Sequence, residues 1–384
     1  MVDGTRPDAA AVTQARRDPE QLAAGLRRWL AARLGGDAAP EVAGLDRSSA
    51  NGLSSETLLF EAAWAGPDGP EEARLVARLE PDADDAPVFP SYVLGHQVEV
   101  LRAVAADTSV PVPVVRWSEP DPSWLGAPFF VMDRVDGEVP PDVLPYNFGD
   151  SWLFAASAED QRRLQDATVG VIAELHGIDG AAERFAYLAP GGPGGTGDTP
   201  LRRHVAHTRA WYDWSVRVSG MRSALVEQGF ERLEATWPAA PGGDGDAVLS
   251  WGDARIGNVI YRDFLPVAVL DWEMAGVGPR ELDLAWLLMG HRVFEDLAAQ
   301  WSLPGMPSFL RAEDVAGEYE RRSGHTPQDL DWYGTYAAVQ WGIVFLRTGH
   351  RQVVHGQVAA PEAGDDLLHH RATLERAVAG RPWG

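Results

Sequence analysis

The sequence predicts an α+β chain of two unequal lobes, a small antiparallel sheet with one helix against it, then a larger and mostly helical lobe. Three observations predict this. Short β-type runs bounded by turn residues fill about 41–135. Helical spacing dominates after Gly137. Inside the helical half, the window Leu249 to Leu288 holds two short β-type runs among loop residues. With 384 residues, 45% of them hydrophobic, the chain can bury a large core in two or three sub-domains. The expected division is an N-terminal helical extension over 1–40, an N-lobe over 41–135 and a C-lobe over 136–384.

Asp18-Pro19-Glu20-Gln21 opens the first helix, with Asp18 as cap and Pro19 in the first position. Leu22, Leu26, Trp29, Leu30 and Leu34 follow on one face, and Gly35 ends it. Strands are expected over Leu58 to Trp64 and Arg74 to Leu79, separated by the turn cluster Gly66-Pro67-Asp68-Gly69-Pro70. A helix over about Ser91 to Ala106 comes next, then strands at Val112 to Trp117 and Pro128 to Arg134. Helices are expected over Ala158 to His176, over Leu201 to Val218 and in several segments from Glu281. Gly191 to Gly197 reads as a connector, and Thr326-Pro327-Gln328-Asp329 as a helix start capped by Thr326.

Composition excludes several classes. There is no cysteine, so disulfides and cysteine-ligated zinc are out. Met1 to Asp18 lacks the apolar stretch of a signal peptide. The apolar run from Trp332 to Leu346 is short for a membrane span. A cytoplasmic protein without membrane contact is expected. The net charge of −23 argues against a nucleic-acid partner and reads as a solubility property of the surface. There is no lysine, so all 33 basic residues are arginine, and any phosphate clamp must use arginine or backbone amides.

The window Leu249 to Leu288 carries the chemistry. Val259 to Tyr261 and Val267 to Leu270 read as a hairpin around the loop Arg262 to Pro266. Asn258 precedes the first strand and Asp271 follows the second, so the hairpin brings an amide oxygen and a carboxylate together. Two oxygen donors with room left over suit Mg²⁺, which completes its shell with water and phosphate oxygens. Asp253 lies five residues before Asn258 and can face that site without being a ligand. Arg255 stands two residues further, within reach of a transferring phosphoryl group. An Asp, a spaced Asn and a second Asp closing a strand is the order of protein-kinase catalytic loops. Asp283, in Leu282-Asp283-Leu284-Ala285, is expected to brace this loop by hydrogen bonds.

This window closely resembles the aminoglycoside phosphotransferase / choline kinase-like superfamily, and more narrowly the kinase-like domain of some acyl-CoA dehydrogenase fusions. The resemblance extends over about Leu45 to Leu288. Asn51 to Phe60 is similar to the loop over the nucleotide phosphates, Leu75 to Leu79 to the strand carrying the phosphate-pairing cation, Phe130 to Gly137 to the hinge, and Leu175 to Asp179 to a helix end of the family. It implies a protein-kinase-like fold and transfer of the γ-phosphate of ATP (or GTP) to a hydroxyl of a small-molecule acceptor. Asp253 inherits the role of catalytic base, with Arg255 beside it. Asn258 and Asp271 inherit Mg²⁺. Gly52, Ser54, Ser55 and Arg78 inherit the phosphates, and Met132, Asp133 and Val135 the hinge contacts to the base.

Three departures stand out. Trp251 replaces the usual His, whose work is to scaffold the loop. Arg78 replaces a lysine, and arginine also pairs phosphates. Gln97 falls where a glutamate would pair with that cation, while Glu99 lies two residues on. Trp251 and Gln97 are what a rival reading would use, a catalytically weak nucleotide-binding regulatory protein; the intact Asp253, Asn258 and Asp271 oppose it. A protein kinase is disfavoured by the lack of a full Gly-x-Gly-x-x-Gly loop and of an Ala-Pro-Glu segment after Asp271. The aromatic residues of the helical lobe, Trp286 and Trp341 among them, read mainly as core.

Overall fold

The computed structural model describes residues 17–35, 38–47, 56–82, 85–189, 197, 199–238 and 247–383. The first lobe is a five-stranded antiparallel sheet in the order β1-β2-β3-β5-β4, made of β1 (Glu41–Arg47), β2 (Glu56–Gly66), β3 (Gly69–Leu79), β4 (Val115–Glu119) and β5 (Phe129–Asp133). The turn cluster is tighter than its sequence suggests. Gly66 pairs with Gly69, so both strands run to a two-residue Pro67-Asp68 turn. The strand β1 had no counterpart in the sequence reading, because Glu41-Val-Ala-Gly-Leu-Asp-Arg47 is polar and Gly44 takes a positive φ of 59°.

Period-two alternation splits this sheet into two faces. Leu75, Ala77, Leu79, Phe129 and Val131 face one way, where α1 (Pro19–Leu34) lays Leu22, Leu26, Trp29 and Leu30 over them. The Asp18 carboxylate accepts from the Glu20 N–H, and Gly35 ends the helix with φ 101°. The helix expected as an extension over 1–40 thus shares the core of the first lobe. Val76, Phe130 and Met132 face the other way, onto α2 (Leu94–Asp107) and the main core.

The second lobe is helical. Its helices are α3 (Trp152–Ala155), α4 (Ala158–Leu175), α5 (Ala181–Arg184), α6 (Pro200–Ser219), α7 (Ala224–Ala235), α8 (Glu281–Gln300), α9 (Ala312–Ser323), α10 (Leu330–Val354) and α11 (Arg371–Val378). Ser157, Thr199 and Ser223 cap α4, α6 and α7 through their hydroxyls. Apolar residues all round α10, such as Trp332, Tyr336, Val339, Ile343 and Leu346, make it a buried axis. Thr326 does not cap it. The helix starts four residues later, at Leu330, because Glu281 Oε1 takes the Gln328 N–H at 3.1 Å and Thr326 turns its hydroxyl to Glu320. No helix among the described residues is long and apolar enough to cross a membrane.

Two small ribbons lie where the lobes meet. One pairs β6 (Val248–Ser250) with β9 (Gly276–Gly278), and the other pairs β7 (Val259–Arg262) with β8 (Leu265–Val269). The second is the expected hairpin with a shorter loop. Asp263 and Phe264 form its turn at φ 51° and 61°, the doubly positive pair that matches strand twist. The architecture is the two-lobed α+β plan of protein kinases.

Candidate active site

The hairpin sets the spacing of the site. Val259 pairs with Val269, and the Leu270 N–H donates to Asn258 O at 2.8 Å, so Asn258 lies opposite the residue just before Asp271. Asp271 has φ 60°, a left-handed conformation that turns the chain out of the strand. A short 3₁₀ turn, Ile256–Asn258, folds the preceding loop back, and Asn258 Nδ2 donates to Asp253 O at 3.0 Å and to Asp253 Oδ2 at 2.7 Å. The amide is thereby oriented with its nitrogen toward Asp253 and its oxygen away from it.

Asp253 sits in a dense donor set. Arg255 Nε reaches Oδ1 at 2.7 Å and its Nη2 reaches Oδ2 at 3.1 Å. Trp286 Nε1 of α8 donates to Oδ1 at 2.7 Å. With Asn258 this gives four donors for the four in-plane lone pairs of a carboxylate. Burial alone would raise this carboxyl; the charge and hydrogen bonds of Arg255, with those of Trp286 and Asn258, hold it below the usual carboxylate range. Arg255 is itself shared. Its Nη1 donates to Asp142 Oδ2 at 2.6 Å, and its guanidinium lies 5.8 Å from the Trp341 ring centroid. Trp341 stacks on Trp286 at 5.2 Å. Burial pushes Asp142 up against the pull of Arg255.

Sequence reasoning missed Asp142 and left Trp286 in the core. Asp142 lies about 110 residues upstream, outside every motif, and contributes through tertiary contact alone. Trp286 falls one turn into an apolar helix, where its indole N–H carries no sequence signal.

The loop is braced as expected of Asp283. Its fully buried carboxylate accepts from Ser250 Oγ at 2.7 Å, Trp251 N at 2.8 Å, Gly252 N at 2.8 Å and His176 Nε2 at 3.0 Å. A carboxylate only accepts, so Nε2 carries the proton, and in the neutral ring Nδ1 accepts from the Tyr319 hydroxyl at 2.7 Å. Gly252 is required by space as well as by conformation. Its φ is 86°, and an added Cβ would sit 2.0 Å from Met274 O. Trp251, where the family resemblance implies a histidine, donates from its indole nitrogen to Leu270 O at 2.9 Å, which ties the loop to the strand end before Asp271.

Arg78 of β3 reaches across to Asp271 Oδ1 at 3.1 Å and lies 3.6 Å from Glu273. Burial would lower its pKa, but Asp271 and Glu273 raise it further. Gln97 is the α2 residue turned toward this point, lining one small cavity with Arg78, Met132 and Asp271. Glu99 is exposed and lies beside Tyr187. The acidic neighbours of Arg78 thus come from the segment after β8. In the hinge, Asp133 is committed, its N–H to Val114 O at 2.9 Å and its carboxylate to Arg116; Val135 lies just past the strand end. Gly52, Ser54 and Ser55 lie outside the described residues.

The sequence profile of the phosphotransferase enzyme family (APH) matches residues 52–323. The chain belongs to this family. Among solved structures, this phosphotransferase-family chain is similar to a candidate aminoglycoside phosphotransferase of Ralstonia eutropha (TM-score 0.63, 19% identity, 95% of this chain and 98% of that one). It is similar also to aminoglycoside phosphotransferase APH(4)-Ia, solved with ADP and hygromycin B (TM-score 0.55, 15% identity, 93% and 98%). These likenesses show the fold. Among curated proteins it is 24% identical to the probable acyl-CoA dehydrogenase IBR3 of Arabidopsis thaliana over 85% of this chain, and 25% identical to human acyl-CoA dehydrogenase family member 11 over 46%. The match spans 39% of the first relative's length and 20% of the second's.

Proposed function

We propose that this phosphotransferase moves the γ-phosphate of ATP, or GTP, onto a hydroxyl of a small-molecule acceptor, with Asp253 as the base. The observation that supports this best is the fixed, ionised carboxylate of Asp253, held by Trp286, Asn258 and Arg255 beside the Asn258/Asp271 hairpin end. Phosphoryl transfer has a loose transition state, so its catalysis is positioning and charge stabilisation. Asp253 orients the acceptor hydroxyl and takes its proton as the new O–P bond forms and the bond to the leaving diphosphate breaks. Since Arg255 occupies two of the carboxylate's lone pairs, it gives up at least one contact when the hydroxyl arrives, and phosphate oxygens offer it a bidentate partner. Arg78 neutralises phosphate charge from the opposite lobe, and the hinge segment from Met132 to Val135 meets the base.

The donor set fits Mg²⁺. Asn258 turns its amide nitrogen to Asp253 and presents an oxygen donor, which Arg255 Nη2 approaches at 3.5 Å, and Asp271 supplies a hard carboxylate oxygen across the hairpin end. When bound there, the ion would neutralise charge on the phosphate oxygens. The test is nucleotide turnover with an acceptor panel in wild type and Asp253→Ala. Turnover lost while nucleotide still binds supports the assignment; unchanged turnover in the variant refutes it.

A further inference from the structure

Beside the catalytic loop lies a cavity of about 420 Å³, large enough for a small organic molecule. Its floor is Trp272 to Gly276, the segment that follows Asp271. That floor touches the base loop directly. Gly276 pairs with Ser250, and the Met274 carbonyl packs against Gly252, the residue before Asp253. The remaining walls come from the segment before α2 and the first turn of α2, from the segment Tyr187 to Ala189, from α6 and from Gln340 of α10.

The lining departs from the rest of the surface. The chain carries 56 acidic residues, yet Glu273 is the single carboxylate among the described residues that line this cavity, and Arg78 lies 3.6 Å from it. Among the described residues, no arginine lines it. The walls are aromatic and apolar, with Phe89, Tyr92, Tyr187, Trp211 and Met274 among them. The polar groups facing it include the neutral donors and acceptors Gln97, Thr208 and Gln340, and the imidazoles of His96, His204 and His207. His204 adds no charge near pH 7; burial first, and His207 second, push it down to about 4, and its Nδ1 pairs with the Tyr336 hydroxyl at 2.6 Å.

We infer that this cavity holds the acceptor, and that the acceptor is an uncharged hydroxyl compound with an apolar or aromatic body. The inference rests on the kinase reading for the cavity's role. A polycationic amino sugar would bring several ammonium groups to walls with one carboxylate, already matched by Arg78, and each desolvated ammonium without a partner opposes binding. A neutral molecule loses nothing of that kind and buries its apolar body against the rings.

The experiment separates binding from turnover. Binding of neutral aryl and alkyl alcohols, and of an aminoglycoside, is followed by fluorescence of the whole 384-residue chain, since Trp211 and Trp272 line the site. Neutral alcohols are expected to bind roughly tenfold or more tightly than the aminoglycoside. Ser91→Trp, at an exposed lining position, is expected to weaken that binding by a similar factor. His207→Glu, at the exposed mouth, is expected to shift preference toward the aminoglycoside. Tighter aminoglycoside binding in wild type, or alcohol binding indifferent to Ser91→Trp, overturns the inference. Nucleotide turnover independent of Asp253 with the expected binding pattern retires the kinase reading and leaves the cavity's ligand class standing.

Discussion

Arg255 and Asp253 face one another as a two-point pair, with Nε to Oδ1 at 2.7 Å and Nη2 to Oδ2 at 3.1 Å, while Asp142 anchors the far side of the same guanidinium at 2.6 Å. Asp253, Arg255 and Asp142 thus form one connected set. Arg255→Lys keeps the charge but cannot fork, so kcat/KM is expected to fall by roughly 10- to 100-fold with little change in folding. Asp142→Asn loosens the anchor only, and a smaller loss is expected. The double variant should cost less than the product of the two, because they share one partner. Independent effects would show that Asp142 does not act through Arg255.

The same pair sets the pH response. Arg255 and its fellow donors hold Asp253 below the usual carboxylate range, so this carboxylate stays ionised through mildly acidic pH. Removing the cation favours the protonated form and moves the carboxyl upward. Arg255→Met is therefore expected to shift the acid limb of the kcat/KM profile to higher pH. A limb that stays in place would mean another group controls it.

Asp283 accepts four hydrogen bonds with no exposure to solvent, three of them from consecutive residues of the base loop. Asp283→Asn replaces one carboxylate oxygen with an amide donor, which then opposes one backbone N–H, that of Trp251 if it stands for Oδ2 or that of Gly252 if it stands for Oδ1. A loss of about 3–5 kcal/mol in stability is expected, the scale for breaking a buried, charged hydrogen-bond set, with activity falling beyond what the folded fraction explains. Denaturant unfolding beside activity at matched folded protein checks both.

Much of this site was legible because its residues are local in sequence. Asn258 and Asp271 flank one hairpin and Asp253 lies just before it, so spacing and strand pattern pointed to them together. Asp142 was invisible for the opposite reason, since its partner is 113 positions away. Gln97 and Glu99 could not be ranked without knowing the helix's rotation, which packing against the sheet decides. The helix start at Thr326 failed because Glu281, from another helix, takes the Gln328 N–H that a cap would have organised. The first strand was missed because a polar edge strand has little apolar alternation to read.

Trp251 links the loop to Leu270 O through its indole N–H at 2.9 Å and is fully buried. Trp251→Phe removes the donor and leaves a cavity, and a loss of about 2–4 kcal/mol is expected. Trp251→His is smaller still but restores a donor. If the scaffold bond matters for geometry more than for packing, Trp251→His should retain more kcat per folded molecule than Trp251→Phe, even where its stability is lower. Equal kcat in the two variants would assign Trp251 to packing alone.

His370 supplies a test of stability against pH that does not depend on catalysis. It is fully buried, its Nε2 donates to Ala338 O at 2.8 Å, and burial pushes it down to about 4, with His369 adding to the shift and Asp296 opposing it. A base with a depressed folded pKa stays neutral in the native state while the unfolded chain binds the proton near pH 6.5. Stability is therefore complete above about pH 6.5 and is lost as pH falls toward 4, with about 2 kcal/mol gone at pH 5 from this residue. His370→Gln keeps a side-chain N–H for Ala338 O but cannot take a proton. Urea unfolding at pH 7 and pH 5 should show a smaller drop in the variant than in wild type. Equal drops would assign the acid sensitivity to other groups.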